Sequence, residues 1–166
     1  MIRGAAILFA GALVAAPLPS PLSPADAQKA FEVVPGLRVE LVAAEPLVAS
    51  PCAIAFDTKG RLFVAENRGY PIGPKEGEKP AGVIALLEDT DGDGQMDKRT
   101  VFADGLTFPN GVLPWGGGLI VTCAPDVLFL KDNDGDGVAD ERKVLLTGFA
   151  TTGSTQLRVN APTVGP

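Results

Sequence analysis

The chain has 166 residues, a formal net charge of −6 and no histidine, with a pI near 4.6. An acidic chain without a basic stripe has nothing to neutralise phosphates, which excludes nucleic acid as a partner, and the missing imidazole excludes Ser-His or Cys-His pairs and the commonest general base. Fifteen prolines and twenty glycines, with few long stretches of helical period, predict a turn-rich, all-β protein with enough apolar residues to bury a core.

Residues 1–27 read as a secretory signal peptide. Arg3 supplies the positive end, Ala5 to Ala16 is apolar apart from Gly11, and a Pro/Ser-rich stretch leads to Ala25-Asp26-Ala27, an A-x-A cleavage site. A bilayer needs about 20 apolar residues and this run is shorter. The expected location is therefore exported, periplasmic or extracellular, with the membrane surface as a further setting.

Residues 28–50 form a lead-in. Phe31 to Ala43 breaks at Pro35-Gly36 into two short β-like runs, and alternation of Leu37, Val39 and Leu41 predicts an edge strand that closes a sheet elsewhere. From Pro51 a hairpin follows: Pro51 to Asp57, a turn at Thr58-Lys59-Gly60, then Leu62 to Ala65. A Gly/Pro-rich charged loop (68–81) precedes a strand over 83–87, an acidic loop, and a strand over 99–103. The pattern then restarts at Phe108-Pro109-Asn110-Gly111, with Gly116-Gly117-Gly118 as the turn, Leu119 to Thr122 as the second strand, a third from Pro125-Asp126 and a fourth over 143–149. A third opening is expected at Ala161-Pro162-Thr163-Val164.

The acidic loop is written twice, 43 residues apart from Asp89 to Asp132, and a repeat of that kind dictates the fold. Four strands per repeat, neither sheet able to bury both faces alone, predict a β-propeller, which closes with about four to eight blades. The expected organisation is an incomplete propeller over 51–166: blades at about 51–106 and 107–149 and the start of a third over 150–166. The chain reads as an amino-terminal fragment whose partner is the remainder of the propeller.

Each loop places carboxylates at calcium-loop positions 1, 3, 5 and 9, with glycine at position 6 for the sharp turn: Asp89, Asp91, Asp93 and Asp97 with Gly94, and Asp132, Asp134, Asp136 and Asp140 with Gly137. Thr100 and Lys143 stand where a bidentate glutamate is usual, so calcium binding near ~10⁻⁴ to 10⁻³ M is expected; a solvated Asp-Gly turn is the alternative. Propeller geometry puts the opposite loops around the channel mouth. Glu66, Asn67, Arg68, Tyr70, Asn110 and Asp126 are thereby the candidate cofactor- or substrate-binding residues, Glu66 with Arg68 being the best polar cluster, and a loop-end salt bridge its structural alternative. Cys52 and Cys123 are expected to be small buried hydrophobes, with a disulfide between them as the alternative in an exported protein, and neither has the neighbours of a catalytic or zinc site. Trp115, at a strand end, is expected to pack.

The runs Phe56-Asp57, Gly60-Arg61-Leu62-Phe63-Val64-Ala65-Glu66-Asn67-Arg68-Gly69-Tyr70-Pro71, Leu87-Glu88-Asp89-Thr90-Asp91-Gly92-Asp93-Gly94, Val101-Phe102-Ala103-Asp104-Gly105-Leu106 and Pro109-Asn110-Gly111-Val112 resemble the propeller of the membrane-bound dehydrogenases of planctomycete-type bacteria. That family is similar to the glucose/sorbosone dehydrogenases that use pyrroloquinoline quinone (PQQ). The resemblance implies a sugar or alcohol substrate, a quinone cofactor and a c-type cytochrome as electron acceptor. No Cys-x-x-Cys-His occurs, so haem is not part of this chain, and the histidine base of the quinone enzymes is missing; the fragment alone is expected to be inactive. A non-enzymatic, calcium-stabilised propeller module that binds carbohydrate or protein is the alternative.

Overall fold

The structure, a computed structural model, describes residues 20–165. The described residues fall into two compact units, one ending at Val39 and the other starting at Glu40. Much of the expected signal peptide lies outside the described residues. Its expected cleavage site falls in a six-residue helix, α1 (Pro24–Lys29), started by Ser23, whose hydroxyl accepts the Asp26 N–H at 3.1 Å, with Pro24 in the first turn. Gln28 Nε2 donates to the Val39 carbonyl at 2.7 Å. Among the described residues no helix is long and apolar enough to cross a membrane.

The second unit is all-β: two four-stranded antiparallel sheets, each a simple meander, with no closed barrel. Sheet one runs β1 (Pro51–Phe56), β2 (Leu62–Glu66), β3 (Gly82–Glu88) and β4 (Lys98–Leu106); sheet two runs β5 (Pro109–Trp115), β6 (Gly118–Cys123), β7 (Asp126–Lys131) and β8 (Glu141–Leu146). Apart from the β2–β3 loop over 67–81, the connections are too short for crossovers, and the sequential order follows. Gly116 (φ 58°) and Gly117 (φ 76°) make the β5–β6 connection, a two-residue turn with positive φ at both positions that favours glycine. β8 begins two residues before the expected strand and stops at Leu146, short of Gly148 (φ 96°).

Alternation decides which side chains form the core. Phe63, Ala65, Ile84, Leu86 and Phe102 of sheet one pack on Leu119, Val121, Leu128 and Leu130 of sheet two, with the Phe63 and Phe102 rings edge to face at 5.0 Å. The other face of sheet one, formed by Leu62, Val64, Ala85 and Leu87, is covered by Val42, Ala43, Leu47, Val48 and Met96. Glycine permits the close approach between the sheets: a Cβ on Gly82 would meet the Leu106 carbonyl oxygen, and Pro109 Cδ at 2.5 Å.

Neither the lead-in over 37–41 nor the segment 161–164 forms a strand. A strand exists only where a neighbour completes its ladder. Ala161 and Pro162 instead lie against Gly111, within 2.5 and 2.8 Å of where its Cβ would stand.

Candidate functional site

Glu66 ends β2 in a wholly buried position. Its carboxylate accepts from Arg68 Nε at 3.0 Å and Nη2 at 2.6 Å, from Arg99 Nη1 at 2.9 Å and Nη2 at 3.0 Å, and from the Ala49 N–H at 2.9 Å. Arg99 also donates to the Leu47 carbonyl at 3.1 Å. Two guanidinium forks on one buried carboxylate satisfy its oxygens and tie the 47–49 segment to the sheet. Glu66 therefore acts as a clamp behind the pocket rather than as a lining group.

In front of it lies a cavity of about 450 Å³ that collects Asn67, Arg68, Tyr70 and Asn110 with Cys52, Arg158 and Asn160. Four of the six residues singled out in the sequence thus share one wall system. Asp126 lines none of it; its carboxylate accepts from the Thr147 hydroxyl at 2.6 Å. The amide oxygens of Asn67 and Asn110 and the Nε of Arg158 are buried without a hydrogen-bond partner. Such groups cost free energy until a ligand or water meets them. The Arg158 guanidinium carbon sits 3.4 Å from the Phe108 ring centroid, which holds the cation at the wall. Sequence reasoning missed Arg158, which stands alone in a stretch of small and polar residues. Cys52 donates to the carbonyls of Pro109 (3.0 Å) and Ala65 (3.3 Å), and burial raises its thiol pKa. Both cysteines are free; Cys123 is buried, whereas Cys52 is exposed as a residue with only its thiol turned inward to those carbonyls, so only the former matches the expectation.

The acidic loops lie at strand ends between β3 and β4 and between β7 and β8. Oxygens of Asp89, Asp91 and Asp97 in one, and of Asp132, Asp134 and Asp136 in the other, converge within 4.8 Å. Each loop gathers three of its four expected carboxylates and leaves out Asp93 or Asp140. The first carboxylate of each also organises the turn: Asp89 accepts from Gly92 and Gly94 at 2.7 and 2.9 Å, and Asp132 from Gly135 and Gly137 at 2.6 and 3.0 Å. The Gly94 and Gly92 amides hold Asp89 below the usual carboxylate range. Burial works against ionisation of Asp132, yet the Gly135 and Gly137 amides and the nearby Arg61 charge lower it too. Three clustered oxygens per loop suit a hard cation, with carbonyls and water needed to complete the six to eight ligands of calcium.

A second cleft, of about 530 Å³, lies between the β1–β2 turn, the β5–β6 turn and the second acidic loop. Asp57 and Arg61 pair across one wall at 2.8 Å, and Trp115, 58% exposed, stands on the other rather than packing.

A family model described as "Domain of unknown function (DUF7133)" matches residues 23–166. The chain belongs to that family. No curated protein matches. One solved chain is similar, the iodide structure of a Trichoderma reesei enzyme of carbohydrate-active enzymes family AA12, at 20% identity and a TM-score of 0.43 over 65% of this chain. The similarity spans 25% of that chain's length.

Proposed function

We propose that this DUF7133 chain is an arc of an exported propeller oxidoreductase of the planctomycete membrane-bound dehydrogenase type, and that it supplies part of the channel-mouth wall but not the proton-abstracting base. The observation that carries the reading is the cavity where two arginines and two orphaned amide oxygens converge beside a carboxylate that is already neutralised. Arg68 and Arg158 suit the carboxylates of a quinone such as PQQ, and the Asn67 and Asn110 oxygens suit hydroxyl donors of a sugar or alcohol. A quinone bound there would supply the acceptor for the two electrons released when an alcohol becomes a carbonyl, with a c-type cytochrome as the onward acceptor. This chain's residues bind and orient; with no histidine, abstraction of the hydroxyl proton falls to a group outside it.

The ring is favoured by how sheet two repeats sheet one. Ile120, Thr122 and Phe129, by register, face away from the shared core; in the repeat they stand where Phe63, Ala65 and Leu86 of sheet one meet sheet two. Every residue of β8 is exposed, among them Val144, Leu145 and Leu146. A third sheet of the same repeat covers such a face with the same geometry. The acidic loops would hold calcium and stiffen the hairpins, since clustered carboxylates repel without a counter-ion.

A calcium-stabilised binding module without turnover is the second reading, favoured by the saturation of Glu66, which leaves the carboxylate nearest the cavity no free oxygen. Quinone binding by the chain separates the two. The 166-residue chain should show no quinone-dependent dye reduction but should bind PQQ saturably, and Arg158→Ala should weaken that binding at least tenfold. Turnover by the chain alone, or no saturable binding up to millimolar quinone, would refute the assignment.

A further inference from the structure

The cleft between the two hairpin turns and the second acidic loop lies at the other end of β5 from the Arg158 cavity. Asn110, near the start of that strand, lines the cavity and Trp115, at its end, lines the cleft; at the rise of a strand the two residues stand about 17 Å apart. The quinone reading leaves this cleft unused. Its floor is apolar, made by the edge-to-face rings of Phe63 and Phe102, and its volume of about 530 Å³ falls within the range of small-ligand sites.

Trp115 is the only tryptophan of the chain, and its surroundings leave the ring open. Its cross-strand partner is Gly118, and the turn beyond it is Gly116-Gly117, where a Cβ would meet nothing within 4 Å. Three glycines thus supply no side chain to cover the indole, which is why it stays exposed at a hairpin tip. On the facing wall, Arg61 uses Nε on Asp57 Oδ2 at 2.8 Å, which leaves its two Nη groups for a ligand. Asp134 spends one oxygen on the Asp136 N–H at 3.1 Å and keeps the other. The charges of the wall nearly cancel, Lys59 and Arg61 standing against Asp57, Asp132 and Asp134.

An open aromatic face opposite paired donors and acceptors is what a sugar ring requires. A pyranose with equatorial hydroxyls presents axial C–H bonds to a ring beneath it, and their partial positive charge meets the negative face of the indole. Each hydroxyl both donates and accepts, so neighbouring hydroxyls can accept from a guanidinium and donate to a carboxylate side by side. Near-cancelling charge favours a neutral ligand over a strongly ionised one. We infer that this cleft is a binding site for a neutral β-linked gluco-oligosaccharide, with Trp115 as the stacking platform and Arg61 and Asp134 as the hydroxyl partners. The site binds without turnover and requires neither the quinone nor the rest of the ring.

The test uses the 166-residue chain and cellohexaose, followed by calorimetry and by the emission of Trp115, which no other indole obscures. Cellohexaose should bind saturably, shift that emission to the blue and protect the ring from acrylamide quenching. Trp115→Ala, at an exposed position, should weaken binding at least about tenfold, and Trp115→Phe, which keeps a smaller aromatic face, should lose less. PQQ should leave the heat of cellohexaose binding unchanged, since its cavity lies at the other end of β5. No saturable heat or emission change up to about 10 mM sugar, or unaltered affinity in Trp115→Ala, would overturn the inference. So would displacement of the sugar by PQQ, which would put it in the Arg158 cavity, or an indole already shielded from acrylamide without sugar, which would assign the ring to packing. Failure of the chain to bind PQQ would count against the quinone reading alone and leave this site standing.

Discussion

Replacing Glu66 with alanine should cost more stability than any other single change around this cavity. The substitution removes the shared partner of two guanidinium groups and the acceptor of the Ala49 N–H. Arg99, whose side chain is only 19% exposed, is left without its carboxylate partner; Arg68, at 39%, can turn to solvent and contributes less. Breaking a buried pair by deleting one member costs about 3–5 kcal/mol. Against a total stability of about 5–15 kcal/mol that is a large share, and for a domain of this size it corresponds to a fall in Tm of about 10 to 20 °C. Glu66→Gln keeps one acceptor for Ala49 and should lose about 2–3 kcal/mol. The assay is thermal and urea unfolding followed by circular dichroism. Glu66→Leu combined with Arg99→Met should be milder than Glu66→Ala alone, since an apolar replacement leaves less buried charge unpaired. A Tm for Glu66→Ala within a few degrees of the parent would refute the clamp.

Acid should loosen the strand-end turns. Asp57, where burial is outweighed by Arg61 and the Lys59 and Arg61 amides, titrates below its ordinary value, as do Asp89 and Asp132. A folded-state pKa below the unfolded value of about 3.9 gives stability that is complete above that value and lost as pH falls through the folded one. Stability measured from pH 6 to pH 2.5 should drop below about pH 4, and Asp57→Asn should flatten that drop. Calcium at 10 mM, for a Kd of about 10⁻³ M, should stabilise by about 1.4 kcal/mol per loop; calorimetry without heat up to millimolar calcium would count against both loops. Gly82→Ala, which drives a methyl into the Leu106 carbonyl and the Pro109 ring, should cost about 1–3 kcal/mol or more in urea unfolding.

Both sheets were legible in the amino-acid sequence because their strands are short apolar runs bounded by Gly, Pro and Asp, and because the acidic loop recurs with its flanks intact. The positions of Asn67, Arg68, Tyr70 and Asn110 followed from topology alone: successive loops of a meander fall on alternate ends. Partnership across long separations did not follow. Arg99 reads as the start of a strand, and nothing local says that it reaches back 33 residues to Glu66; Arg158 lacks any flanking pattern. The role of Trp115 depended on what faces the hairpin tip, which periodicity does not report.

An experimental structure of the polypeptide from its whole reading frame tests the account most directly. A further four-stranded antiparallel sheet should lie on Ile120 and Phe129, with a backbone N–H of its third-to-fourth strand loop donating to the Leu145 carbonyl as Ala139 donates to Phe102. Solvent or a helix against that face would contradict it.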